Sequence, residues 1–184
     1  MDPGLVGRAR EGDQDAFAEI VARSIGRLNA VARLIMRDPH AAEDAVQEAL
    51  VEAWRDLPCL RDVTRFDPWV RRLLLHACFD RAKRDRSIRL REVKVPLELD
   101  AARDEQPSVV LRDEVEGALR TLSTEHQAVL VLTYYLDLPL SDAAAAMDIP
   151  LGTMKSRLDR ARSAMRAALD AQDRVVQTGQ EQVA

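Results

Sequence analysis

The chain has 184 residues, of which 47% are hydrophobic, 32% charged and only 4% aromatic. That length suits one domain or two small ones, and the scarcity of aromatic and β-branched runs argues against a sizeable sheet. A net charge of −4, taken alone, speaks against a nucleic-acid partner, because an acidic surface repels phosphates.

The charge is segregated, however. From Arg61 to Arg91 the cations Arg61, Arg65, Arg71, Arg72, Arg81, Lys83, Arg84, Arg86, Arg89 and Arg91 face only Asp62, Asp67, Asp80 and Asp85. A second basic zone lies around Lys155 to Arg166, while acids gather in Glu43 to Asp56 and in Glu92 to Glu116. Two basic zones separated by acidic ones suit two DNA contacts and a separate, basic partner. Cys59 and Cys78 are too few for a disulfide framework or a thiolate metal site. The start of the chain has no signal-peptide pattern, and no stretch is long and apolar enough to span a bilayer. A reducing cytoplasm is the expected location.

In chain order, Leu5 to about Met36 reads as helix, broken by a turn at Glu11 to Asp15 with Asp13 as the N-cap. Phe17, Ile20, Val21, Leu28, Val31, Leu34 and Ile35 keep helical spacing, and Asp38-Pro39 ends the run. Ala41 to Leu57 forms the next helix, with Ala42, Ala45, Val46, Ala49, Leu50, Ala53 and Trp54 on a wide apolar stripe. Asp44, Gln47, Glu48 and Glu52 fall on its other side, either as a solvated acidic face or to meet a basic helix. Leu57 to Asp67 reads as loop, and a third long helix starts near Pro68, a favoured first-turn residue. Val70, Leu73, Leu74, Ala77 and Cys78 face inward there. Arg71, Arg72, Arg81, Lys83 and Arg84 form a polar edge, with Trp69 at its start. Cations beside an aromatic ring can hold a phosphate chain while the ring stacks on a base, although a lone Trp is as often core. His76 reads either as a core imidazole or as a base contact.

The apolar period lapses between Val95 and Val109, where Pro96 and Pro107 bracket acidic residues, so residues 93–109 read as a flexible linker. Helical pattern returns at Val110. Ser123 or Thr124 caps a helix through Ala128, Val129, Val131, Leu132 and Tyr135, and Asp137-Leu138-Pro139 turns the chain. Ser141 then reads as the N-cap of an alanine-rich helix that a neighbour can approach closely. Asp148 supplies the tight turn, Pro150 breaks the helix, and Thr153 reads as the next N-cap. Met154, Leu158, Ala161 and Met165 make one apolar face, with Lys155, Arg157, Arg160, Arg162 and Arg166 outside it. Helix, short turn and basic amphipathic helix together make a helix-turn-helix with its second helix suited to a DNA groove. Residues 171–184 read as a polar, frayed tail.

With both halves laid out, the sequence resembles the extracytoplasmic-function (ECF) sigma factors, the compact class of bacterial transcription initiation factors. Gly12 to Phe17 resembles the family's opening motif, and Ala42 to Leu50 with Trp54-Arg55 resembles its polymerase-binding signature. Phe66 to Val70 with Asp80 and Lys83-Arg84 is similar to the helix that melts and reads the −10 element. Ile149 to Leu158 with Arg160 to Arg162 is similar to the helix that reads −35.

The resemblance implies an all-α chain of two small helical domains joined by a flexible linker. Residues 1–92 would be sigma domain 2 and residues 110–170 sigma domain 4. Asp44, Gln47 and Glu48 would dock on the β′ clamp helices of core RNA polymerase. Arg61, Phe66, Trp69, Arg72, His76, Arg81, Lys83 and Arg84 would hold the −10 region of promoter DNA, the Cys59 to Phe66 loop making the pocket for a flipped base. Thr153, Lys155, Ser156, Arg157, Asp159, Arg160 and Arg162 would face −35, with Arg157 and Arg162 better placed for phosphates or packing. Leu136 to Pro139 would approach the β flap. An anti-sigma factor is a further implied partner, and membrane insertion is not.

Three residues depart from the family pattern: His76 for Asn, Asp148 for the turn Gly, and Asp159 as an acid among bases. No carboxylate pair, Ser/His arrangement, Gly-rich phosphate loop or His/Cys cluster suggests catalysis, a metal or a cofactor, and His40, His76 and His126 are scattered. The residues alone leave open an ordinary helix-turn-helix regulator that dimerises through its N-terminal half. They also leave open a helical interaction protein with basic docking faces.

Overall fold

The computed structural model describes residues 1–91 and 107–181, and every regular element among them is helical. The N-terminal half comprises α1 (Pro3–Arg10), α2 (Gln14–Ile35), α3 (Pro39–Asp56) and α4 (Phe66–Arg91). The C-terminal half comprises α5 (Pro107–Thr121), α6 (Thr124–Leu130), α7 (Leu140–Ala146) and α8 (Leu151–Glu181). The all-helical expectation therefore holds. Most of the 93–109 linker lies outside the described residues, and its last three residues already belong to α5.

Short acidic caps start the N-terminal helices. Gly12 adopts a positive φ of 98°, open to glycine at little cost, and Asp13 then accepts a hydrogen bond from the Ala16 amide at 2.9 Å. Asp38 caps α3 by accepting from the His40 amide at 2.9 Å, with Pro39 in the first turn. Asp38-Pro39 thus follows the end of α2 at Ile35, as expected, and also begins the next helix. Proline's fixed φ and missing N–H suit the first turn, where that N–H would have no partner. Ala41, Ala42, Ala45, Ala49 and Ala53 are all buried, and these small side chains let α3 lie close to α2 and α4. Leu57–Cys59 and Val63–Arg65 are short 3-10 turns within the expected loop, and α4 begins at Phe66, ahead of the expected Pro68.

In the C-terminal half Ser123 caps α6, accepting from the His126 amide. Residues Val131–Tyr135 widen into a π turn, closed by the Leu136 amide on the Val131 carbonyl at 2.9 Å. Asp137, at φ 49°, then turns the chain. Neither Ser141 nor Thr153 is a cap. Pro139 holds that place for α7, with no side-chain cap, and the Met154 amide bonds to the Pro150 carbonyl at 3.0 Å, which puts Thr153 inside α8. Each proline sits one step outside the helix with its ring restricting φ, so the turn starts earlier than the hydroxyls suggested. The expected frayed tail is also corrected: α8 runs on to Glu181. Where α8 passes α5, Gly117, without a side chain, admits the Gln172 amide to within 2.9 Å of where a Cβ would stand.

The two halves touch. Arg37 donates to the carbonyls of Thr121 and Leu122 at 3.3 and 3.2 Å, satisfying the open C-terminal end of α5. Half-buried Leu136 joins Leu28, Val31, Val70 and Leu74 around a small gap at the seam. The buried apolar side chains form one cluster spanning both halves.

Candidate polymerase and nucleic-acid interface

On α3 the residues Asp44, Gln47, Glu48 and Val51 follow the spacing of one helical face. Gln47 is exposed, Asp44 and Glu48 are half-buried, and Val51, at 68% exposed, stands among them as an apolar side chain without cover. The sequence reading passed over Val51 because it lies off the apolar stripe. That displacement was itself the available signal. Trp54, counted with the stripe, is partly exposed and packs its ring 4.8 Å from that of Phe17.

The acids of this face are engaged from within the chain. Arg81 on α4 pairs with Asp44 through one nitrogen and with Glu48 at 2.9 Å through the other. Arg84 reaches the second Glu48 oxygen at 2.8 Å. An open groove of roughly 650 Å³ adjoins these pairs, lined by Glu48, Glu52, His76, Asp80, Lys83 and Arg84 among others. His76 is half-buried, between the two readings the sequence left open.

The other residues assigned to −10 DNA are spread along the loop and α4. Arg61 is exposed between the two 3-10 turns. Asp62 shapes that loop by accepting from the Thr64 hydroxyl and amide at 2.6 and 2.9 Å. Those bonds, the hydroxyl's first, hold its carboxyl below the ordinary range. Trp69 is half-buried with its ring 5.9 Å from Phe66. Phe66 itself is 1% exposed. Helix α4 starts early enough to fold that ring into the core, so Phe66 supports Trp69 and is not itself a surface for bases. Lys83 is exposed, and Arg72 is exposed but paired to Asp148 at 3.2 Å.

The helix-turn-helix is closed by its own backbone. The Asp148 amide bonds to the Ala145 carbonyl at 3.3 Å and the Ile149 amide to Ala144 at 3.1 Å, the paired bonds of a Schellman ending. Asp148 occupies the left-handed position at φ 57°, as the turn expectation required. Met154, Leu158 and Ala161 are buried and Met165 half-buried, while Lys155, Asp159, Arg160, Arg162 and Arg166 are exposed. Thr153, Ser156 and Arg157 are half-buried. Arg160 folds back, its Nε donating to the Ser156 carbonyl at 3.3 Å. The structure thus brings Lys155, Asp159 and Arg160 to one open face. Of the loop assigned to the flap, Leu136 is taken up by the seam and Asp137 stays exposed. Tyr134 and Tyr135 are more than half exposed just before it, where the π turn rotates them off the apolar face.

Comparison with known proteins agrees with this division. The family described as Sigma-70 region 2 matches residues 20–88, and Sigma-70, region 4 matches residues 112–165. The ECF RNA polymerase sigma factor SigM of Mycobacterium tuberculosis is 30% identical over 163 residues, covering 88% of this chain and 81% of its own. SigW of Bacillus subtilis is 26% identical over 174 residues, covering 88% and 93%. Among solved structures, CnrH in complex with the cytosolic domain of CnrY shares 27% identity at a TM-score of 0.64, covering 92% of this chain and 97% of that one. The sigma factor RpoE in complex with the anti-sigma factor NepR from Bartonella quintana matches in fold, with 23% identity, a TM-score of 0.70 and coverage of 84% and 96%. An acidic helix beside a basic one, a C-terminal helix-turn-helix and relatives matched over most of their length lead to one conclusion: the chain belongs to the ECF sigma factors of RNA polymerase, non-enzymatic initiation factors that direct the polymerase to promoters.

Proposed function

We propose that promoter direction by this chain divides among three surfaces. Asp44, Gln47 and Glu48 on α3 dock on the basic β′ clamp helices of core polymerase, with exposed Val51 as the apolar centre of the patch. Opposite charge steers and registers such a contact, and desolvated apolar groups carry most of its affinity. Arg61, Trp69, Arg72, His76, Arg81, Lys83 and Arg84 hold the opened non-template strand at −10. Capturing unstacked bases there offsets the few kcal/mol, roughly, needed to unstack them. Lys155, Asp159 and Arg160 read the −35 major groove, flanked by Thr153, Ser156, Arg157 and Arg162. Leu136 to Pro139 approach the β flap.

The observation that carries this reading is the open face of α8, where Lys155, Asp159 and Arg160 stand exposed beside a buried Met154, Leu158 and Ala161. The protein works in the cytoplasm, where its polymerase is; among the described residues no helix is long and apolar enough to cross a membrane. An anti-sigma factor restrains it, a reading supported by the similar RpoE, solved with its anti-sigma factor NepR. The test is charge reversal, Asp44→Lys with Glu48→Lys. Retention on core polymerase and promoter-dependent transcript should both fall sharply, and unchanged association would reject the docking assignment.

A further inference from the structure

The side chains assigned to the polymerase and those assigned to the DNA strand are bonded to each other. Arg81, with its side chain only 26% exposed, spans Asp44 and Glu48, and Arg84 takes the remaining Glu48 oxygen. Arg33, Arg55 and other surface arginines pair with acids that have no assigned partner. Here both members of each pair are needed elsewhere.

We propose that Asp44 and Glu48 are positioning residues for promoter-strand capture, exchanging Arg81 and Arg84 for the basic helices of the polymerase. This rests on the docking reading above. In the free protein the two carboxylates hold the two guanidinium groups back against α3 and offset their charge, which weakens their pull on phosphate. A polymerase cation arriving at Asp44 or Glu48 competes for the same oxygens and repels Arg81 and Arg84. The guanidinium groups then turn to the strand that the groove beside them faces. Affinity for polymerase and affinity for single-stranded DNA therefore rise together, each by the same factor, as linkage requires. Ion pairs this near the surface set that factor at the low end of such couplings, about fivefold.

The test uses the full-length protein, core RNA polymerase and a fluorescein-labelled single-stranded DNA 12-mer of mixed sequence. Without polymerase, Asp44→Asn with Glu48→Gln should bind the 12-mer about fivefold more tightly than the charge-matched control Glu19→Gln with Glu43→Gln. Reciprocally, Arg81→Gln with Arg84→Gln should associate with core polymerase about fivefold more tightly than the control Arg65→Gln with Arg86→Gln. Arg81→Lys with Arg84→Lys should return polymerase association toward the unmodified level, which a purely structural effect of the glutamines would not require. The two arms use different variants, so a folding defect in one leaves the other decisive. If neither pair gains over its control, the exchange is overturned, and docking stands provided Asp44→Asn with Glu48→Gln still weakens polymerase association. Tighter strand binding with undiminished polymerase association overturns the exchange and the docking assignment together.

Discussion

Arg72 on α4 reaches Asp148 in the turn of the helix-turn-helix at 3.2 Å, across 76 residues of chain. A residue proposed to hold the −10 strand and the turn of the helix-turn-helix therefore meet in the free protein, beside the seam that takes up Leu136. Both side chains are well exposed, so the pair contributes at most about 1 kcal/mol. The backbone at Asp148 matters more. A left-handed residue costs roughly 1–2 kcal/mol unless it is Gly or a short polar residue. Asp148→Ala should accordingly lower stability by about that amount, while Asp148→Gly should hold or raise it. Urea denaturation of the two variants checks this, and equal losses would assign the effect to the ion pair.

Ser24 offers a cleaner substitution. It is buried in α2, and its hydroxyl has no hydrogen-bond partner. Burying an unpaired hydroxyl costs about 1–3 kcal/mol, and Ala is the better helix former. Ser24→Ala is expected to stabilise the N-terminal half by about 1 kcal/mol or more, read as a raised denaturation midpoint.

Burial, with a smaller push from Glu48, raises the Cys78 thiol from near 9 to about 12. The folded chain thus keeps this proton to higher pH than the unfolded chain does. The resulting stability is complete below the unfolded value, about 8.5, and is lost as pH rises toward 12. Denaturation midpoints should fall more steeply between these limits than in Cys78→Ala. Iodoacetamide at pH 8 should label exposed Cys59 and spare Cys78, which peptide mass spectrometry resolves.

Asp159 stands exposed beside Arg160 on the face proposed to read −35. A carboxylate there accepts from cytosine N4 and repels a nearby phosphate. Asp159→Ala should relax selection at one −35 position by ~1–3 kcal/mol while others keep theirs. Equal loss on every promoter variant would remove this role.

Much of the fold was legible because its signals are local. The apolar faces of α3, α4 and α8 followed from helical spacing, and Asp13, Ser123 and Asp148 sit where capping and turn chemistry placed them. Proline carried more than one signal: Pro39 follows the end of α2 as expected but also opens α3, and Pro139 and Pro150 displaced Ser141 and Thr153 from the caps. The close approach of Gln172 on α8 to Gly117 joins residues 55 positions apart. The pairing of Arg81 and Arg84 with Asp44 and Glu48 likewise needs two helices already packed, and no single-helix period encodes it. Phe66 shows the same limit, since the burial of its ring depends on the packing of α4.

Promoter direction itself is tested most directly by run-off transcription with core polymerase on a library randomised at −10 and −35. Transcripts should share two short motifs at a fixed spacing, and Lys155→Ala with Arg160→Ala should erase selection at the upstream motif alone. Transcripts sharing no motif, or duplex promoter held as tightly by the chain without polymerase, would contradict the account.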